Sequence, residues 1–188
     1  MIKEYFNSFA IFSSEEVDHC VQLFETRELK KNDYFVREGN RCSEIAFIET
    51  GIFRSSYLSS DGNDITYCFR FPNDLMASYS SFITGNPSVE TMQAITPAKL
   101  WIVKKESVEE LMRQNHKWVQ FLKVIAEQQY LELEKRVFQL QRENASQRYT
   151  SLLQHQPEYI QQIPLQYLAS YLGITQRHLS RIRKEISF

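Results

Sequence analysis

The sequence predicts an α+β chain: a β-rich antiparallel sandwich or roll in the N-terminal half, one long helix, and a pair of short helices at the C-terminal end. Three observations carry this. Between residues 29 and 103, turn signals recur about every 10 to 12 residues, the spacing of short antiparallel strands. From 116 to 142 no proline or glycine interrupts an apolar stripe at helical spacing. From 164 to 186 two amphipathic runs flank Gly173.

The first convincing element starts at Ser13, which can cap a helix with Glu16 three residues on, followed by Val17, Cys20, Val21 and Phe24 on one face. The β-rich stretch is punctuated by Arg37-Glu38-Gly39-Asn40, Glu49-Thr50-Gly51, Ser60-Asp61-Gly62-Asn63 and Phe71-Pro72-Asn73-Asp74. Ile65, Tyr67, Phe69 and Phe71 alternate with Thr66, Cys68 and Arg70, which predicts a strand with its large apolar residues on one face. Ser107 with Glu110 forms another capping-box pattern and predicts a second helical start there.

The long helix follows at 116 to 142. Its apolar positions Val119, Leu122, Ala126, Leu133, Val137 and Leu140 keep to one stripe, interrupted by Gln129, in the manner of a coiled-coil seam. About 26 residues make a helix of roughly 39 Å, more than a small domain covers by itself. Two remedies stand open: pairing with a second copy through Leu122, Ala126, Leu133, Val137 and Leu140, or packing along the chain's own β-domain. After it comes a shorter helix around 149 to 153 and a proline-marked turn. The chain thus divides into 1–115, 116–142 and 143–188.

Charge divides the same way. Residues 1 to 134 hold 14 Lys/Arg against 20 Asp/Glu, and residues 135 to 188 hold 8 against 3. A basic C-terminal module on an acidic body suits a polyanionic partner, although a solvated charged face gives the same count.

At the C-terminal end Pro164 suits the start of a helix, Leu165, Leu168, Ala169 and Leu172 follow on one face, and Gly173 ends it. Thr175 then caps a second helix over 176 to 186. Leu179, Ile182 and Ile186 fall in a narrow apolar arc, and opposite them Gln176, Arg177, Ser180, Arg181 and Lys184 span about 140°. Two such helices around a Gly-Ile-Thr turn make a helix-turn-helix, and that polar arc is wide enough to face a major groove. The same hairpin can also serve plain structure or protein contacts. Four cations at Arg177, Arg181, Arg183 and Lys184 argue for nucleic acid.

The chain resembles the Crp/Fnr regulators, in particular the short members common in Bacteroidetes. The likeness rests on LKKNDYFVREGN, EIAFIETGIFRSSYLSSDGND and FRFPNDL in the β-rich half, RENASQRYTSLL after the long helix, and IPLQYLASYLGITQRHLSRIRK at the end. It implies a cyclic-nucleotide-binding-type β-roll, a dimerisation helix and a helix-turn-helix domain, in that order. It also implies a transcription regulator that binds duplex DNA as a homodimer, with the family's base-reading positions falling on Gln176, Arg177 and Arg181. RNA polymerase is a further candidate partner.

The pattern fails at one place. Members that bind cyclic AMP carry a Gly-Glu pair and, ten residues on, an Arg-Ser or Arg-Thr pair that grip ribose and phosphate. This chain has Ala77-Ser78 and Ser88-Val89. Without the carboxylate and the guanidinium a buried cyclic phosphate has no charged partner, so independence from cyclic AMP is expected. The pocket formed by Ala77, Ser78, Tyr79, Ser88 and Val89 either takes another small effector or is filled by Tyr79, Phe82 and their neighbours.

Other classes find little support. His19, His116, His155 and His178 are scattered, no phosphate loop or nucleophile elbow occurs, and Glu15-Glu16 and Glu109-Glu110 sit at predicted helix starts, where they favour the helix dipole. No enzyme is expected. Cys20, Cys42 and Cys68 stand 22 and 26 residues apart, so no metal site and no cofactor is expected. Neither an apolar signal core nor a run of about 18 apolar residues occurs, which predicts a cytoplasmic protein without membrane contact. The alternative is a small-ligand-binding regulatory module whose helix-turn-helix contacts protein.

Overall fold

A computed structural model describes residues 1–186; the last two residues of the predicted 143–188 module lie outside the described residues. The fold is α+β, an antiparallel β-roll with flanking and C-terminal helices. Its chain divides into two compact units, residues 1–57 with 68–125, and residues 58–67 with 126–188.

The first unit opens with α1 (Ile2–Asn7) and α2 (Ser14–Gln22). Ser13 and Glu16 form the expected reciprocal capping box, with Ser13 N–H donating to Glu16 at 2.7 Å. Glu16 also accepts from Lys117 Nζ at 2.7 Å and from Asn115 Nδ2 at 2.6 Å. These contacts, that of Lys117 foremost, hold its carboxyl at about 2, below its ordinary 4.5. Helix α1 lies ahead of the expected first element. Six residues without a side-chain cap give no helical signal of their own, and burial of Ile2 and Phe6 orders them instead.

Strands β1 (Glu25–Leu29), β3 (Glu44–Thr50), β6 (Leu75–Met76) and β8 (Ala98–Lys104) form one sheet in the order β1-β8-β3-β6. Strands β2 (Tyr34–Val36), β4 (Phe53–Leu58), β5 (Asp64–Arg70) and β7 (Thr91–Ala94) form the other, in the order β2-β7-β4-β5. The run Ile45-Ala46-Phe47-Ile48 is buried throughout because β3 is covered on both faces. Ala46 and Ile48 meet Phe53, Met76, Met92 and Leu100 in one cluster, while Phe47 turns to Phe6, Cys20, Trp118 and Phe121 in another. In that second cluster Phe12 stacks on Trp118 at 4.0 Å between ring centroids. Burial there pushes the Cys20 thiol up to about 12.

The turn glycines Gly39, Gly51 and Gly62 all take positive φ. Gly51 is the demanding one, since a Cβ built there would lie 2.5 Å from Ala98 Cβ and 2.7 Å from the Pro97 carbonyl oxygen.

Two expectations need correction. Helix α4 (Lys105–Gln114) starts two residues before Ser107, with Lys104 as an N-cap that makes no side-chain bond. The β8 ladder pairs to its last residue, Lys104 opposite Glu44, and Lys105 N–H donates to the Ser43 carbonyl, so strand pairing rather than the capping pattern fixes the start. The one-face alternation expected for residues 65 to 71 also breaks. Thr66 is buried while Ile65 and Tyr67 are only half-buried. The reason lies within the second unit, where Thr66 N–H donates to Ser170 Oγ at 2.9 Å.

Helix α5 (His116–Arg142) runs unbroken for 27 residues over the span the sequence predicts. Beyond it, α6 (Ala145–His155) begins with a capping box between Asn144 and Gln147. The proline-marked turn is itself a short helix, α7 (Pro157–Gln162), with Pro157 in its first turn, where a missing N–H costs nothing. Helices α8 (Leu165–Tyr171) and α9 (Gln176–Ile186) complete the second unit, whose interior includes Tyr149, Leu152, Tyr159, Ile163, Leu168, Leu172, Leu179 and Ile182. Among the described residues no helix is long and apolar enough to cross a membrane.

Candidate nucleic-acid interface

Helix α8 ends in a fully accounted Schellman motif. Gly173, at φ +68°, donates to the Ser170 carbonyl and Ile174 donates to that of Ala169. The next two carbonyls, of Tyr171 and Leu172, accept from side chains. Two arginines take them. Arg136, from α5, donates to the Tyr171 carbonyl and lies 3.8 Å over its ring. Arg148, from α6, donates to the Leu172 carbonyl through both Nε (3.2 Å) and Nη2 (2.9 Å), and through Nη1 to Glu143. Cations at a helix C-terminus oppose the negative end of its dipole.

Three residues later α9 begins. Thr175 Oγ1 accepts from His178 N–H at 3.2 Å and its carbonyl accepts from Leu179, so it caps the helix. Leu179 and Ile182 are buried and Ile186 is half-buried. Thr175, Gln176, Arg177, Arg181 and Lys184 are exposed, and Ser180 is half-buried. Arg181 Nε sits 3.7 Å from Glu185 one turn on, an exposed pair. All six residues singled out from the sequence therefore lie along one short stretch, with their apolar partners turned inward.

On α5, Leu122 and Ala126 are half-buried, while Leu133, Val137 and Leu140 are 57%, 42% and 46% exposed. Leu131 and Phe138, on the opposite face, and Tyr130 are exposed as well. The sequence reading passed over these three, though they also fall at helical spacings.

In the roll, Ser78 precedes the short helix α3 (Tyr79–Thr84). Its hydroxyl makes no cap but lies 2.8 Å from Ser88 Oγ, both being buried. Ser88 Oγ also donates to the Glu90 carbonyl at 2.7 Å. Ala77 is half-buried, whereas Tyr79 is 44% and Val89 68% exposed. Phe82 is buried beside Ile45, Val103 and Val108.

Residues missed by sequence reasoning are Arg136, Arg148 and Ser170. Arg148 stands within RENASQRYTSLL, but no periodicity marks a polar residue whose partner is a main-chain carbonyl elsewhere.

Residues 26–115 match the family described as the cyclic nucleotide-binding domain. The chain is 22% identical over 105 residues to an anaerobic regulatory protein of Bacillus subtilis (strain 168), a match covering 56% of this chain and 44% of that one, so it spans less than half of that relative's length. It superposes on FixK2 from Bradyrhizobium japonicum with a TM-score of 0.76 at 20% identity, over 87% of this chain and 84% of that one. A chain from Eubacterium rectale described as a transcriptional regulator of the Crp/Fnr family gives 0.76 at 18% identity, over 98% and 88%.

Proposed function

We infer, from a chain whose residues 26–115 match the cyclic nucleotide-binding domain and whose fold resembles that of FixK2 and of a Crp/Fnr-type regulator, that this protein is a sequence-specific DNA-binding regulator of that type. The observation that carries the reading is the polar side of α9: Gln176, Arg177, Arg181 and Lys184 exposed on a helix whose other side is buried against α8. In this reading α9 enters the major groove. Arg181 donates two bonds to a guanine, Gln176 and Arg177 read neighbouring base edges, and Thr175, Ser180 and Lys184 hold phosphates. The excess of Lys and Arg in residues 135 to 188 supplies the sequence-independent part of the affinity.

The working form is a homodimer. Leu133, Val137 and Leu140 are large apolar side chains left in water on a 27-residue helix, and with Leu122 and Ala126 they make the seam. Two-fold symmetry then requires an inverted repeat with half-sites about one helical turn apart. Residues 1–115 serve as the effector-type domain, 116–142 as the dimerisation helix and 143–188 as the DNA-binding domain. The hydrogen bond from Ser78 to Ser88, with neutral hydroxyls in place of charged groups, supports operation without cyclic AMP.

Selection of duplexes from a random pool tests the proposal. Enrichment of an inverted repeat with that spacing is expected; no enrichment over the starting pool would end the reading.

A further inference from the structure

Three consecutive residues at the end of α8 are each tied to a different element of the second unit. Ser170 Oγ accepts from Thr66 N–H at 2.9 Å and donates to the Asp64 carbonyl at 3.1 Å, both on β5. Tyr171 gives its carbonyl to Arg136 of α5, and Leu172 gives its carbonyl to Arg148 of α6. Nothing in an ordinary helix end requires this. Gly173 and Ile174 already close the turn, and helix-end carbonyls can equally be left to water.

We propose that Ser170, Arg136 and Arg148 are positioning residues for DNA reading, which fix the direction of α9 by holding the last turn of α8 to β5, α5 and α6. Residues 173 to 175 alone separate that turn from the recognition helix, and Gly173 and the Thr175 cap leave the connection little freedom. A tilt at Tyr171 is therefore passed on to Gln176, Arg177 and Arg181. Arg136 stands beside Val137 on α5, so a change in the packing of that helix alters the anchor of the recognition helix directly. β5 provides a second anchor through residues 64 and 66. The inference rests on the DNA-binding reading and adds to it a route by which the state of the seam regulates groove contact.

The role differs measurably from a phosphate contact and from a base contact. Replacing a phosphate ligand lowers the slope of log affinity against log salt by about 1, and replacing a base ligand relaxes one operator position. A positioning residue does neither. Arg136→Lys keeps the charge but loses the planar fork and its stacking on Tyr171, and Ser170→Ala removes one hydroxyl. Each is expected to lower the ratio of operator to random-duplex affinity about tenfold, spread over all half-site positions, with the parent's salt slope and oligomeric state. Arg148→Lys should behave alike. An unchanged ratio in both Arg136→Lys and Ser170→Ala, a loss confined to one base pair, or a slope reduced by about 1 would overturn the proposal.

Amide exchange at residues 173 to 179 in DNA-free protein supplies an independent arm. Faster exchange there in Arg136→Lys and Ser170→Ala, with exchange in α2 and β3 unchanged, is expected; identical exchange in all three proteins overturns the coupling. If the parent binds no duplex, the functional reading fails and this arm still decides the positioning role.

Discussion

The buried Ser78 hydroxyl donates to the buried Ser88 hydroxyl at 2.8 Å, and Ser88 gives its own proton to the Glu90 carbonyl, so neutral hydroxyls stand where a nucleotide-binding roll would need charged groups. A cyclic phosphate entering between them must break that bond and leave water for two neutral donors at most. A neutral hydrogen bond is about half as strong as a charge-assisted one. Calorimetry should find no saturation by cyclic AMP below about 50 μM, and operator binding should not respond to it. Saturable binding with tighter operator binding would sink this.

Arg181→Ala should cost roughly 1 to 3 kcal/mol on the selected operator and relax one base position, whereas Lys184→Ala should weaken all sequences alike. The Arg181–Glu185 pair adds a second expectation. Glu185→Gln removes a carboxylate that competes with DNA for the guanidinium and repels phosphate, so affinity should rise. Electrophoretic or fluorescence titration at two salt concentrations measures all three. Parent-like binding by Arg181→Ala would refute the groove assignment.

Leu133→Glu would set an unpaired carboxylate against its symmetry mate in the proposed seam, at a cost of several kcal/mol. Sedimentation should show a dimer for the parent and a monomer for the variant. A parent that sediments as a monomer at micromolar concentration removes the premise.

Glu16 gives a pH signature. Its carboxyl is held at about 2 in the folded chain, against 4.5 ordinarily, chiefly by Lys117. Because the folded value is the lower one, the ionised group stabilises the fold above about pH 4.5, and that contribution is lost as pH falls toward 2. Glu16→Gln should lower the midpoint of thermal unfolding at pH 7 and flatten its decline between pH 4.5 and 2. Parallel pH profiles for the two proteins would show that the pair contributes nothing.

Gly51→Ala should destabilise the roll by at least about 1 to 3 kcal/mol, since the residue needs positive φ and its Cβ would meet Ala98 and the Pro97 carbonyl oxygen. Urea unfolding measures it. A midpoint within error of the parent's would mean that the β8 end yields freely.

What could be read in the sequence follows from where each signal resides. The α5 span was legible because an uninterrupted stripe of 27 residues has few other solutions, and the α8–α9 pair because Gly173 and Thr175 punctuate it locally. Helix α1 was not, since its order comes from Ile2 and Phe6 reaching an aromatic cluster distant in sequence. Thr66 defeated the alternation rule because its partner is Ser170, 104 residues away. The start of α4 went to strand pairing rather than to Ser107. At the candidate site the exposed polar arc was visible from periodicity. The arginines that cap α8 were not, because a carbonyl partner leaves no mark on residue type.

The continuity of α5 also sets a phase. Trp118 and Phe121 anchor its first turns in the roll, and Arg136, about four turns after Phe121, engages Tyr171. One residue inserted between Phe121 and Leu133 would rotate everything downstream by about 100° and advance it by about 1.5 Å. Leu133, Val137 and Leu140 would leave the azimuth of Leu122 and Ala126. Length variation in this helix is thus confined to near-integral turns, with seven residues, an offset of about 20°, the least disruptive step.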